Sequence, residues 1–198
     1  MASILDIIGS TMFVGILIIS ILTINNNMVM GNAKSISTYL IQSQTQELAR
    51  IVENDVYKMG FRVYGNEVLF GDSSQLRFRA DLSNNGTINT VEYILGDRIS
   101  ESANPNDRKL SRIVDGSTLF ISFNATRFYI QYFDSAMQKL TTPLSVADLK
   151  RVRTVNILLA LQTPDPVDFY RKAGTGELCP VYGSAHYEKL ISAQNLSF

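Results

Sequence analysis

One cysteine, Cys179, and one histidine, His186, are all that this 198-residue chain holds of either type, and it has no tryptophan. A single thiol excludes an intrachain disulfide and any cysteine-built zinc or iron–sulfur cage. A single imidazole excludes a His–His metal pair and a two-histidine catalytic arrangement. Charge of one sign is also lacking, since 18 Lys and Arg are matched by 18 Asp and Glu. No global field draws the chain to nucleic acid or to an acidic membrane surface, and nucleic-acid binding is not expected. Neither a glycine-rich phosphate loop nor a nucleophile elbow occurs, so the expectation is a protein without enzyme activity or cofactor. Cys179, directly before Pro180, reads as a small buried apolar residue rather than a nucleophile. His186 reads as part of a tyrosine-rich strand, Tyr182 to Tyr187.

What is present first is a long apolar run. Ile4 to Ile24 contains a single charge, Asp6, and no Lys or Arg occurs before Lys34. Such a run has the length a helix needs to cross about 30 Å of hydrocarbon at about 1.5 Å per residue. A secretory signal would show a basic leading region and a shorter apolar stretch, so the segment is expected to stay with the mature protein. The positive-inside rule would place the flank at Lys34 in the cytoplasm.

After Ile24, three asparagines and Gly31 lower helix propensity, glycine by about 1 kcal/mol relative to alanine. This stretch is expected to be extended or poorly helical in an assembled state, or else to be held helical by packing. The helix resumes to about Gly60, with Ile36, Leu40, Leu48, Ile51, Val52, Val56 and Met59 on one side and Gln42, Gln46, Arg50 and Glu53 on the other. That face is suited to covering a sheet, with Asp55 an exception. A single element from Ser3 to Gly60 far exceeds the usual helix of about 11 or 12 residues.

Beyond Tyr64 the pattern shifts to short strand-like runs separated by turn residues. Strands are expected at Glu67–Phe70, Leu76–Ala80, Thr90–Leu95, Lys109–Val114, Thr118–Ser122, Arg127–Phe133 and Arg151–Gln162. Asn85-Gly86 offers the positive-φ positions of a tight hairpin. Val155, Ile157, Leu159 and Leu161 share one face of the last run, which reads as a central strand. Ser145 to Asp148 has capping-box spacing for a short helical turn. Pro164 and Pro166 should end regular structure, and Arg171 to Pro180 should be an exposed loop.

Two further patterns suggest chemistry. Asp81, Ser83, Asn85, Gly86, Ile88 and Glu92 match the spacing of an EF-hand calcium loop, yet strand-like flanks favour a plain β-turn. Lys150, Arg151 and Arg153 form a basic cluster at a strand start, where alternation puts both arginines on one face as a solvated edge or a subunit contact.

The fold class is therefore α+β, a long N-terminal helix packed across an antiparallel sheet head, divided as an apolar helix over 1–32 and an amphipathic half plus head over 33–198. This order resembles the type IV pilin and type II secretion pseudopilin superfamily. Within the head, LRFRADLSNNGTINTVEYIL, FNATRFYIQYFDSAMQKLT, DLKRVRTVNILLALQTP and the tail KLISAQNLSF bring it closest to the minor-pilin and pseudopilin J-like group. The N-terminus departs from the family, which shows a basic leader, a Gly before the cleavage point, an aromatic residue and a Glu five residues in. The nearest match to that Glu is Asp6, the fifth residue if the mature chain begins at Ala2. The resemblance implies that Asp6 neutralises the terminal amine of a neighbouring subunit; the other reading is a helix N-terminal acid favoured by the helix dipole. Asp6, Gly9, Gly15, Asn25, Asn26, Asn27 and Gly31 are the candidate assembly residues. The implied partners are copies of the same chain in a helical filament, the inner membrane before assembly, and pilus-type assembly machinery, with the head finally at the cell surface. The alternative is a membrane-anchored extracytoplasmic binding or sensor module that does not polymerise.

Overall fold

The computed structural model describes residues 2–193, Asn195 and Leu196. The chain forms two compact units, Met1–Ser37 and Thr38–Phe198. The first helix, α1 (Ala2–Tyr57), enters both. In the first unit α1 is unbroken through residues 24–33, so the low propensity of Asn25, Asn26, Asn27 and Gly31 does not interrupt it in the single chain.

The second unit follows from periodicity. On its part of α1, Ile41, Thr45, Leu48, Ala49, Val52, Val56 and Met59 are buried, a stripe at three- and four-residue intervals that faces a sheet. The expected stripe is corrected at Ile36, Leu40 and Ile51, which are exposed. Ile41, Thr45 and Ala49 are buried instead.

Among the described residues the sheet has seven antiparallel strands in the order β1-β2-β3-β4-β5-β6-β9, and β7 and β8 form a separate hairpin. The strands are β1 (Val68–Gly71), β2 (Gln75–Ala80), β3 (Asn89–Arg98), β4 (Arg108–Val114), β5 (Ser117–Phe133), β6 (Thr154–Gln162), β7 (Asp168–Arg171), β8 (Leu178–Val181) and β9 (Ser184–Ser192). Consecutive strands pair as far as β6, which lies inside the sheet as its apolar run requires, with Val155, Ile157, Leu159 and Leu161 all buried. Tyr93, Tyr132, Phe78 and Phe128 fill the centre. Their polar ends are satisfied, as burial demands: the Tyr132 hydroxyl donates to the Asp72 carbonyl at 2.9 Å, and the Tyr93 hydroxyl to Asp55 at 2.5 Å.

Other departures have local causes. Thr118–Ser122 and Arg127–Phe133 are one strand, because a register shift between Ala125 and Arg127 absorbs the interruption. β6 begins at Thr154, not Arg151. The hairpin connecting β2 and β3 is a wide loop with positive φ at Asn84 and Gly86 rather than a tight turn at Asn85-Gly86. The short helix α2 (Val146–Leu149) forms where the capping pattern places it, with the Asp148 N–H donating to Ser145 Oγ at 3.1 Å. The expected loop Arg171 to Pro180 contains the ends of β7 and β8, and Pro180 pairs opposite Phe169; a two-stranded hairpin tolerates proline where no further strand needs its N–H.

Candidate functional site

The seven candidate assembly residues all lie on α1 within the first unit. At about 100° per residue, Asp6, Gly9, Asn27 and Gly31 fall within roughly 60° of one another around the helix. Gly15, Asn25 and Asn26 lie on other sides. Phe13, Leu17 and Ile24 interrupt the first group along the axis, so the seven do not form one continuous stripe. A side chain added at Gly9, Gly15 or Gly31 would meet nothing within 4 Å. Glycine in a helix interior costs roughly 1 kcal/mol relative to alanine, and no contact among the described residues accounts for these three.

Between Ile4 and Met30, large apolar side chains are exposed on every side of the helix. Sixteen large side chains from Ile4 to Met30 are 45–72% exposed. Residues 7–33 include no Asp, Glu, Lys or Arg, and α1 is long and apolar enough to cross a membrane. Its hydroxyls turn inward on the backbone: Ser10 donates to the Ile7 carbonyl at 2.9 Å, Ser20 to Ile16 at 2.9 Å and Thr23 to Ile19 at 2.9 Å. That is the arrangement a polar group needs where water is absent.

Apart from Asp6 and Lys34, the charged groups lie in the second unit. The EF-hand-like spacing does not gather its oxygens. Asp81 Oδ2 accepts from the Gly86 N–H at 2.8 Å and from Arg62 at 2.9 Å, and Oδ1 accepts from the Asn85 N–H at 3.1 Å. Burial alone would raise the Asp81 pKa, but these donors outweigh it and hold the carboxyl below its usual range. Glu92 is on β3, where it accepts from Gln75 at 2.6 Å. Among the described residues no group of three or more His, Cys, Asp and Glu side chains is placed to hold a metal ion. Arg151 is used within the chain, pairing with Asp134 at 2.8 Å and Asp148 at 3.2 Å, and Arg153 donates to the Val152 carbonyl at 2.7 Å.

The expectation of a buried Cys179 is corrected. It is half-buried on β8, because most of the β7–β8 hairpin is uncovered. His186 is exposed on β9 opposite Ala160.

An open groove of about 710 Å³ runs beside α1, lined among others by Glu47, Ile51, Glu101, Ser102, Asp107 and Asn124. Asp107 is buried; its Oδ2 accepts from Ser102 at 2.5 Å, and its Oδ1 has no hydrogen-bond partner among the described residues. Burial pushes its carboxyl above the usual range despite the Ser102 hydroxyl. Sequence reading missed this residue, since nothing in SANPNDRK marks one acid as buried. A scan against family models and a search of curated proteins found no match to the chain. The long apolar N-terminal helix followed by a sheet head fits the general pilin-like architecture.

Proposed function

We propose that the chain is a structural subunit of a pilin-like extracellular filament, whose apolar helix sits in the inner membrane before assembly and then packs against copies of itself, leaving the heads outside. The observation that carries this reading is the all-round exposure of large apolar side chains from Ile4 to Met30. Water does not tolerate so extensive an apolar surface, so lipid or neighbouring helices must cover it. Two details favour helices as the final cover. Gly9, Gly15 and Gly31 leave gaps where another backbone can come close. Asp6 lies at the edge of a long uncharged run, where a carboxylate away from water needs a partner. The resemblance to type IV pilins and type II pseudopilins supports the same reading, and an enzymatic role is not part of it.

A second reading, a membrane-anchored binding module that does not polymerise, is favoured by the groove and the unpaired Asp107 Oδ1. Mechanical shearing separates the two. Surface fibres with this chain as their main component support the filament; recovery solely from detergent-solubilised membranes supports the anchored module.

A further inference from the structure

Three Asn-x-Ser/Thr tripeptides occur in the chain, beginning at Asn85, Asn124 and Asn195. Such a tripeptide is an acceptor for N-linked sugar when it lies on an accessible surface outside the cytoplasm. Transfer also needs the asparagine Nδ2 to be free of competing contacts. The structure distinguishes the three on this basis. Asn124 lies within β5, where its Nδ2 donates to Gln44 Oε1 at 3.2 Å and its Oδ1 accepts from Ser122 at 2.7 Å. The Asn195 Nδ2 donates to the Tyr57 carbonyl at 3.1 Å.

Asn85 differs in each respect. It is exposed in the loop between β2 and β3. Its Oδ1 accepts from the Thr87 N–H at 2.8 Å, which fixes the orientation of the amide, since Nδ2 cannot accept a hydrogen bond. The Nδ2 is then left with no hydrogen-bond partner among the described residues. The loop that presents it is held from beneath: Asp81 takes the N–H groups of Asn85 and Gly86, and Arg62 donates to the Asn84 carbonyl at 3.1 Å. Gly86, at the middle position of the tripeptide, has φ +89°, and the space where its Cβ would lie is open to 4 Å. Glycine permits this backbone, and among the described residues no other side chain fills the space beside it.

We propose that Asn85 is an N-glycosylation site, taking an oligosaccharide from a polyprenyl diphosphate carrier through an oligosaccharyltransferase. The inference rests on the reading of the head as extracytoplasmic. In the transfer, Nδ2 bonds to the anomeric carbon of the first sugar. The bond from that carbon to the diphosphate oxygen breaks, the polyprenyl diphosphate leaves with the electron pair, and the amide proton passes to a carboxylate base of the transferase. No redox partner is needed.

The test uses the full chain purified from the cells that make it. Its intact mass should exceed the sequence mass by one oligosaccharide, carried on the peptide containing Asn85 and absent from the peptides containing Asn124 and Asn195. N85Q and T87A should return the mass to that of the unmodified chain, and T87S, which keeps the hydroxyl, should retain sugar. An unmodified Asn85 overturns the proposal, as does sugar that persists in N85Q. Protease treatment of intact cells reports separately where the head lies. A head digested from outside with a bare Asn85 rejects the glycan and leaves the filament standing, whereas a protected, bare head rejects both.

Discussion

Arg112 Nε donates to Asp55 Oδ2 at 2.6 Å across 57 positions of sequence, and the Tyr93 hydroxyl reaches the same oxygen at 2.5 Å. Asp55 is the one acid on the buried face of α1, and its carboxylate ties the helix to both β3 and β4. The bond to Asp55 raises the Arg112 pKa, and burial together with the Asp55 charge raises that of Tyr93. Asp55→Ala removes the acceptor for both and leaves a largely buried guanidinium without its partner. The expected cost is about 3 kcal/mol, against about 1 kcal/mol for Tyr93→Phe, which keeps the ion pair. Denaturant unfolding of the full chain in detergent, followed by near-ultraviolet circular dichroism, checks the order; equal losses would mean the carboxylate does not organise the helix–sheet contact.

Acid should weaken the head through a definable set of groups. Glu53 is held below its usual range first by the Lys189 ammonium and then by the Tyr187 hydroxyl, which donates to it at 2.8 Å. Asp134 is held low chiefly by the Gln138 N–H, and Asp81 is low as well. Each contributes stability that is present above the unfolded carboxyl pKa of about 4 and lost as pH falls through the lower folded value. Asp107 acts in the opposite direction. Its raised pKa means that its ionised form opposes folding at neutral pH. Unfolding measured from pH 7 down to pH 2 should therefore show stability falling below about pH 4. Asp81→Asn should flatten that limb, and Asp107→Asn should stabilise the head at pH 7. A destabilised Asp107→Asn at neutral pH would show that the lone Oδ1 is satisfied in solution.

Much of the fold was legible because burial imposes simple periods. Val155, Ile157, Leu159 and Leu161 alternate and are buried together, and Ser145 and Asp148 form the expected cap. The phase of the amphipathic helix was less legible. Ile36 and Leu40 are as apolar as Ile41, and only the sheet decides which residues meet it. The first half of β9 overlaps the strand expected over Tyr182 to Tyr187, and its second half was hidden for a different reason. Its Glu188 and Lys189 resemble a solvated tail, but Lys189 has the Glu53 carboxylate of α1 to reach and Glu188 accepts from Asn156 on β6 at 2.8 Å. Those partners are more than thirty positions away in sequence. For the candidate assembly residues, the proposed filament would supply from another copy the contacts that the single chain lacks.

Asp6→Ala tests the one charge at the start of the apolar helix. Removing it makes the helix more apolar, so membrane insertion should be unchanged. If the carboxylate neutralises a neighbour's terminal amine, fibre yield should fall while the amount of chain in the membrane is maintained or rises. Asp6→Glu, which keeps the charge, should recover most of the yield. The comparison is made by quantifying sheared fibres against membrane-bound chain in the same cells. Normal yield from Asp6→Ala would leave the residue as a helix N-terminal acid and nothing more.

The last prediction concerns residues 24–33, which are helical in the single chain despite Asn25, Asn26, Asn27 and Gly31. Replacing all four with alanine should favour the helix by several tenths to about 1 kcal/mol at each site. Nothing inside the chain opposes the change at Gly31, where an added Cβ has open space, so the variant should insert and fold normally. The consequence belongs to the assembled state. A stretch that loosens on assembly gains length, because an extended residue spans up to about 3.3 Å and a helical one about 1.5 Å. Heads could then seat against their neighbours while the apolar cores remain packed. Stiffening the stretch should shorten the rise per subunit, reduce extensibility under load or lower fibre yield, all without altering the unfolding of the head. Helical reconstruction and single-fibre pulling read these quantities directly. Fibres identical in rise, extensibility and yield, with the helix continuous from Ile24 to Ala33 in the reconstruction, would show that packing holds this weak segment helical throughout.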